Sequence, residues 1–160
     1  MKSTQYFILF FVLAGLVVLP ATLHWEFFPR TDVQFEQLTI TFDGVNATAE
    51  LEYNVGFLTE LYIFFFGNRN LDPYINNFFY GFDEYQIRSF QGNSATVNLN
   101  NVSRISPPYY LHDGRPFGSP VNRLVLVFPD GEVRIFENPS KTPNIFYDLP
   151  AKDLDFLIFD

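Results

Sequence analysis

Hydrophobic and polar residues alternate along much of this chain, most cleanly between positions 45 and 55. Val45, Ala47, Ala49, Leu51, Tyr53 and Val55 share one parity, and Asn46, Thr48, Glu50, Glu52 and Asn54 share the other. Successive side chains of a strand point to opposite faces, so this pattern predicts a strand with one buried and one wet face. Leu38, Ile40 and Phe42 alternate in the same way upstream, and Asp43-Gly44 supplies the pair that a two-residue type I′ turn demands. Val33 and Phe35 are out of phase with Leu38 onward, which predicts a bulge near Glu36-Gln37.

After Val55 the period lengthens. Phe57, Leu58, Leu61, Tyr62, Phe64 and Phe65 recur at three-to-four spacing, and Gly67 ends the run as it would end a helix. Asp72-Pro73 reads as an N-cap followed by proline at the first helical position, with Tyr74, Ile75, Phe78 and Phe79 as the apolar stripe and Gly81 as the stop. A second hairpin pairs residues 84–90 with 95–99, and Gly92 at the first central position suits a type II′ turn. Leu124 to Phe128 is apolar at every position, as expected of a central strand; Pro129-Asp130-Gly131 makes a turn, and Val133 to Phe136 returns. The expected fold is α+β: an antiparallel sheet of about six strands in the order ββ-αα-ββ-ββ, with a short helical pair on one face.

The N-terminal segment obeys neither period. No charge interrupts Tyr6 to Leu23, a run long enough to cross a bilayer core as a helix. A retained anchor and a cleaved secretory signal both begin this way. Bulky Leu19 three positions before a cut after Ala21 makes a poor cleavage site, and Trp25, Phe27 and Phe28 follow where an interfacial aromatic belt would lie. These features favour the anchor. The expected organisation is a cytoplasmic N-terminus over 1–5, a transmembrane helix over 6–23, an interfacial linker over 24–32, an extracytoplasmic domain over 33–150 and an apolar tail over 151–160. Lys2 ahead of the span sets that orientation by the positive-inside bias. In the tail, Leu154, Phe156 and Ile158 share a parity, so it can act as a strand that closes the domain's own sheet or docks on a partner.

Composition narrows the function. A formal net charge of −8 disfavours nucleic acid and anionic membrane surfaces as partners. Without cysteine there is no disulfide framework and no thiolate nucleophile. With 21 Phe and 9 Tyr in the chain, the core must be aromatic.

The stretch richest in chemistry runs from Ser106 to Pro120 and reads as a long loop stiffened by four prolines. It holds the candidate binding residues Tyr109, Tyr110, His112, Arg115 and Phe117, whose aromatics could form a platform for a sugar or a partner, or pin the loop to the sheet. A lone histidine beside Asp113 forms neither a catalytic triad nor a zinc site, so no catalytic residue, metal ligand or cofactor is assigned. Two Asn-x-Ser/Thr sequons occur, Asn46-Ala-Thr48 and Asn101-Val-Ser103. Asn46 has the water-facing parity of its strand and Asn101 the inward parity of Val97 and Leu99 unless that strand has ended, which makes Asn46 the better glycan acceptor.

The segments Lys141-Thr-Pro-Asn-Ile-Phe-Tyr-Asp148, Tyr110-Leu-His-Asp113 and Gly67-Asn-Arg-Asn-Leu-Asp-Pro73 resemble those of small uncharacterised single-span membrane proteins of methanogenic archaea. The resemblance implies an archaeal envelope protein and brings no activity with it. The expected function is therefore a non-enzymatic structural or protein-interaction module of the cell envelope, held to lipid through residues 6–23 and facing a protein partner. The alternatives are a small-ligand or glycan-binding module using the 106–120 loop and, third, a hydrolase centred on His112. N-terminal sequencing of the membrane-extracted protein is expected to recover residues ahead of Thr22; a mature chain starting near Thr22 would exclude the anchor.

Overall fold

The computed structural model describes residues 33–57, 59–61, 67 and 71–149. The expected span, the interfacial linker and the apolar tail lie outside the described residues, as does most of the first of the two expected helices, of which Phe57 and residues 59–61 are helical. No helix among the described residues is long and apolar enough to cross a membrane.

Besides the helical residues at 57 and 59–61, the described residues hold nine strands and the helix α1: β1 (Val33–Asp43), β2 (Asn46–Val55), α1 (Asp72–Phe78), β3 (Glu84–Gln91), β4 (Ser94–Asn100), β5 (Ser103–Ser106), β6 (Tyr109–His112), β7 (Val121–Val127), β8 (Val133–Glu137) and β9 (Ile145–Asp148). Six form one sheet in the order β3-β4-β2-β1-β7-β8, and three form a second in the order β5-β6-β9. The six strands expected from alternation are the six of the larger sheet. That sheet is mixed, however, and not wholly antiparallel: β7 runs parallel to β1, from Phe35 opposite Val121 to Thr41 opposite Val127. Hairpin signals are local and reveal nothing of which strand takes the second edge of β1.

The smaller sheet corrects the reading of 106–120 as a structureless loop. Strand β6 lies within that stretch, paired with β5 across the two-residue turn Pro107-Pro108 and with β9 on its other side. Its strands are only four residues long, and prolines crowd the turn, so neither period nor composition announces them.

The alternation of β2 holds throughout, with Ala47, Ala49, Leu51, Tyr53 and Val55 buried and their neighbours exposed. In β1 the expected bulge is present, for Phe35 pairs with Tyr53 and Gln37 with Glu52, leaving Glu36 as the extra residue. The β1–β2 turn departs in detail from a type I′ Asp43-Gly44 pair. Asp43 pairs with Asn46, the two loop residues are Gly44 and Val45, and only Gly44 has a positive φ, +59°. Glycine first and an ordinary residue second is the type II′ pattern, which Val45 can satisfy and a type I′ turn would not allow.

The inner face of the large sheet is covered in two places. At one end, α1 buries Ile75 and Phe78; Phe78 lies 4.6 Å from the Phe35 ring and stacks on Phe117 at 5.0 Å. The helix starts one residue earlier than the Asp72 cap expected: Leu71 occupies the cap position, with no side-chain cap hydrogen bond. Leu71 is buried, and burying a leucine is worth about 1.5–3 kcal/mol against about 1 kcal/mol for a cap, so packing sets the boundary. Gly118 lets the next segment close on this helix. Its N–H donates to the Phe78 carbonyl at 3.0 Å, and a Cβ there would sit 1.9 Å from the Asn77 carbonyl oxygen.

At the other end the small sheet is the cover. Phe42 meets Tyr147, Phe128 and His112 at ring separations of 5.1, 5.5 and 5.4 Å. The Tyr147 hydroxyl donates to the Gly44 carbonyl at 2.7 Å and accepts from Ser103 Oγ at 2.8 Å, tying the small sheet to the first hairpin turn. Replacing Gly44 by valine forces a β-branched residue to positive φ with its Cβ against the Tyr110 hydroxyl, 3.5 Å away. The variant is expected to lose about 1–3 kcal/mol in denaturant unfolding; an unchanged midpoint would contradict the turn geometry.

Candidate functional site

The five candidate residues of the 106–120 stretch are not gathered into one site. Strand alternation sends Tyr109 and Leu111 outward from the small sheet and Tyr110 and His112 inward. Tyr110 is buried and stacks on Tyr147 at 5.3 Å. Phe117 is buried on Phe78, and its N–H donates to the Ser140 carbonyl at 2.9 Å. Arg115 Nη1 pairs with Asp83 Oδ2 at 2.7 Å. Tyr109 alone of the aromatics is exposed, and it meets the exposed Phe146 of β9 edge-on at 5.2 Å. A platform built from Tyr109, Tyr110 and Phe117 together is therefore not formed.

His112 is 2 % exposed, and both ring nitrogens are engaged. Nδ1 lies 2.7 Å from the Val102 carbonyl oxygen and Nε2 lies 2.8 Å from Thr142 Oγ1. A carbonyl can only accept, so Nδ1 carries the proton and Nε2 accepts from the Thr142 hydroxyl. The same hydroxyl oxygen accepts the Arg115 backbone N–H at 2.8 Å, and the Thr142 N–H donates back to the Arg115 carbonyl at 2.9 Å. Burial is the largest influence on the imidazole and holds its pKa below the ordinary value of 6.5; the hydrogen bond to Val102 opposes this, as does Asp113, while Arg115 adds to it. A neutral imidazole with both nitrogens committed to main chain and threonine fastens β6 to the segment before β9. No lone pair is left facing solvent to take a proton from a substrate.

Two further features complete the chemistry. Tyr147 is pushed up to about 12, chiefly by burial, so its hydroxyl stays a hydrogen-bond donor at any physiological pH. An open hollow of about 480 Å³ is lined by Glu36, Glu50, Glu52, Tyr53, Asn54, Gln91, Asn93 and Ser94. Its carboxylates disfavour anionic ligands, and no group of three or more His, Cys, Asp or Glu among the described residues is placed to hold a metal ion.

The outer face of the large sheet carries a feature that no motif signalled. Strand β8 lies at its border, hydrogen-bonded to β7 only among the described residues. Val133 and Ile135 point outward there at 51 % and 49 % exposure, directly opposite Val127 and Val125 of β7. The apolar run Leu124 to Phe128, expected to be covered on both faces, is buried only through Leu124, Leu126 and Phe128; Val125 and Val127 are half-buried on the outer side. Thr142, Tyr147 and Phe146 were likewise missed. The one sequence signal for the last two is the alternation in Ile145-Phe-Tyr-Asp148, too short to separate a strand from a turn, and Thr142 has none.

Comparison with protein-family models, with curated proteins and with solved structures returns no match to this chain.

The neutral, buried His112 makes stability depend on pH with a definite sign. Its folded-state pKa is lowered, so below about 6.5 the unfolded chain binds the extra proton first, and stability present above that pH is lost as pH falls. Unfolding midpoints measured between pH 8 and pH 5 are expected to drop below pH 6.5, with a shallower slope in His112→Gln. Equal slopes for the two proteins would remove the histidine from this role.

Proposed function

We propose that the chain is a non-enzymatic, membrane-anchored interaction module of the cell envelope, with its sheet domain outside the cytoplasm and β8 as the docking edge. The observation that carries this reading is the contrast between the two borders of the large sheet. At the far border, β3 has a register shift between Ile87 and Ser89 that places Arg88 at a bulge, and Glu84 stands at its start. Bulges and charges are the ordinary means by which an edge is kept from pairing with another chain. Strand β8 has neither a bulge nor a proline, and its own terminal carboxylate, Glu137, faces Arg123 of β7 at 3.8 Å. Its one cation, Arg134, is turned back onto Glu132 at 2.7 Å and over the Phe128 ring at 4.7 Å. That leaves a straight edge beside a block of Val125, Val127, Val133 and Ile135, suited to strand addition, in which main-chain hydrogen bonds give affinity and alternate side chains give specificity.

Anchoring by residues 6–23 and an archaeal envelope setting belong to the same reading and rest on the uncharged run and on the sequence resemblance. Binding of a small ligand or glycan is the second reading, and the exposed Tyr109–Phe146 pair favours it. A hydrolase centred on His112 gains nothing from a histidine whose two nitrogens are already bonded.

Ile135→Lys tests the leading reading. A charge on the outward row of an edge strand is expected to abolish co-purification with the partner from native membranes, while unfolding stability stays within about 0.5 kcal/mol, as for ordinary surface changes. Undiminished association in a folded variant would overturn it.

A further inference from the structure

The two sequons are close neighbours in the folded domain and differ in what they expose. Asn46 opens β2 and is exposed, and Thr48 stands exposed on the same outer face. Asn101 lies past the end of β4 at Asn100, with φ at +50°. The inward parity expected of Asn101 is thus overridden by the end of the strand, and its side chain is exposed. Its sequon fails at the other end. Ser103 is 7 % exposed, and its hydroxyl is spent on Tyr147 Oη at 2.8 Å.

The amides differ too. The Asn101 backbone N–H donates to Asn46 Oδ1 at 3.0 Å, which fixes the Asn46 side chain with its oxygen engaged. Asn46 Nδ2 makes no hydrogen bond among the described residues. Asn101 Nδ2, in contrast, donates to Glu84 Oε2 at 2.9 Å. N-glycosylation uses the nitrogen and leaves the oxygen alone, so a sugar on Asn46 keeps the bond that orients it.

We infer that Asn46 is the N-glycan acceptor of the folded domain and that Asn101 is not. The donor class is a polyprenyl-diphosphate-linked oligosaccharide. Asn46 Nδ2 forms a bond to the anomeric carbon of the first sugar, the bond from that carbon to the diphosphate oxygen breaks, Nδ2 gives up one proton, and the polyprenyl diphosphate leaves with the electron pair. No oxidant or reductant is needed. Modification in the cell rests on the proposed extracytoplasmic placement; the selectivity between the two sequons rests on the geometry alone.

The test separates these. The full chain in detergent is incubated with a single-subunit oligosaccharyltransferase and a polyprenyl-diphosphate-linked oligosaccharide, and peptides are read by mass spectrometry. One glycan on Asn46 is expected, lost in Asn46→Gln, lost in Thr48→Val, which keeps the β-branched shape and removes only the hydroxyl, and kept in Asn101→Gln. A glycan on Asn101, or none on a folded protein, overturns the inference. Protease accessibility of the domain on intact cells tests the placement by itself. A domain on the cytoplasmic side overturns that placement and, with it, modification in the cell, whatever the purified protein accepts.

Discussion

One strand has three obligations to meet at once, and the architecture follows from how they are met. Strand β1 must pair along both edges, and its inner row of Phe35, Leu38, Ile40 and Phe42 must be kept from water along the whole length. No single helix of seven residues can cover eleven residues of strand. The inner face is therefore shared, with α1 and Phe117 over Phe35 and the small sheet over Phe42. Each cover is aromatic, and each aromatic pair adds about 0.5–1.5 kcal/mol beyond its buried area. Phe35, Phe42, Phe78, Phe117 and Phe128 are thus the rings that close one sheet under two small, unlike lids.

The small sheet buries three polar side chains and satisfies each, while beside them Arg115 Nε is buried without a hydrogen-bond partner. Ser103, His112 and Thr142 are the buried polar residues of the described domain. Each has partners: Ser103 with Tyr147, and His112 and Thr142 with each other and with the main chain. An unmet donor at such depth costs about 1–3 kcal/mol, more than a made bond returns, so these residues specify one arrangement of the lid more than they strengthen it.

Legibility from sequence tracked the range of the signal. Alternation over ten residues located β2 and the face it buries, and glycine with its neighbours located the hairpin turns, although the type of the first turn depended on whether Val45 lay inside it. The four-residue strands β5, β6 and β9 carry too few positions for a period to show, and Pro107-Pro108 disguises the turn between two of them. For the candidate site, His112 was visible as an isolated histidine, but its partners Val102 and Thr142 lie ten and thirty residues away and follow no spacing rule. Tyr109 and Tyr110, adjacent in the chain, were separated by strand alternation itself, to opposite faces of one sheet. The half-buried Val125 and Val127 of β7, which flank the exposed row on β8, were hidden by composition, since the all-apolar run Leu124 to Phe128 reads as buried on both sides.

The parallel pairing of β1 with β7 has a kinetic meaning. The β1–β2 and β3–β4 hairpins can each zip together locally, but Glu52 meets Ser94 only across α1 and β3, and Phe35 waits for Val121 until everything from β2 to Pro120 has been made. Loop closure of that length is an entropic cost met before any reward, which places this fold among the slow, high-contact-order topologies. While the chain is being synthesised, the second edge of β1 stands open, with Thr39 and Thr41 alternating with Leu38, Ile40 and Phe42, a row able to pair with another chain until β7 arrives.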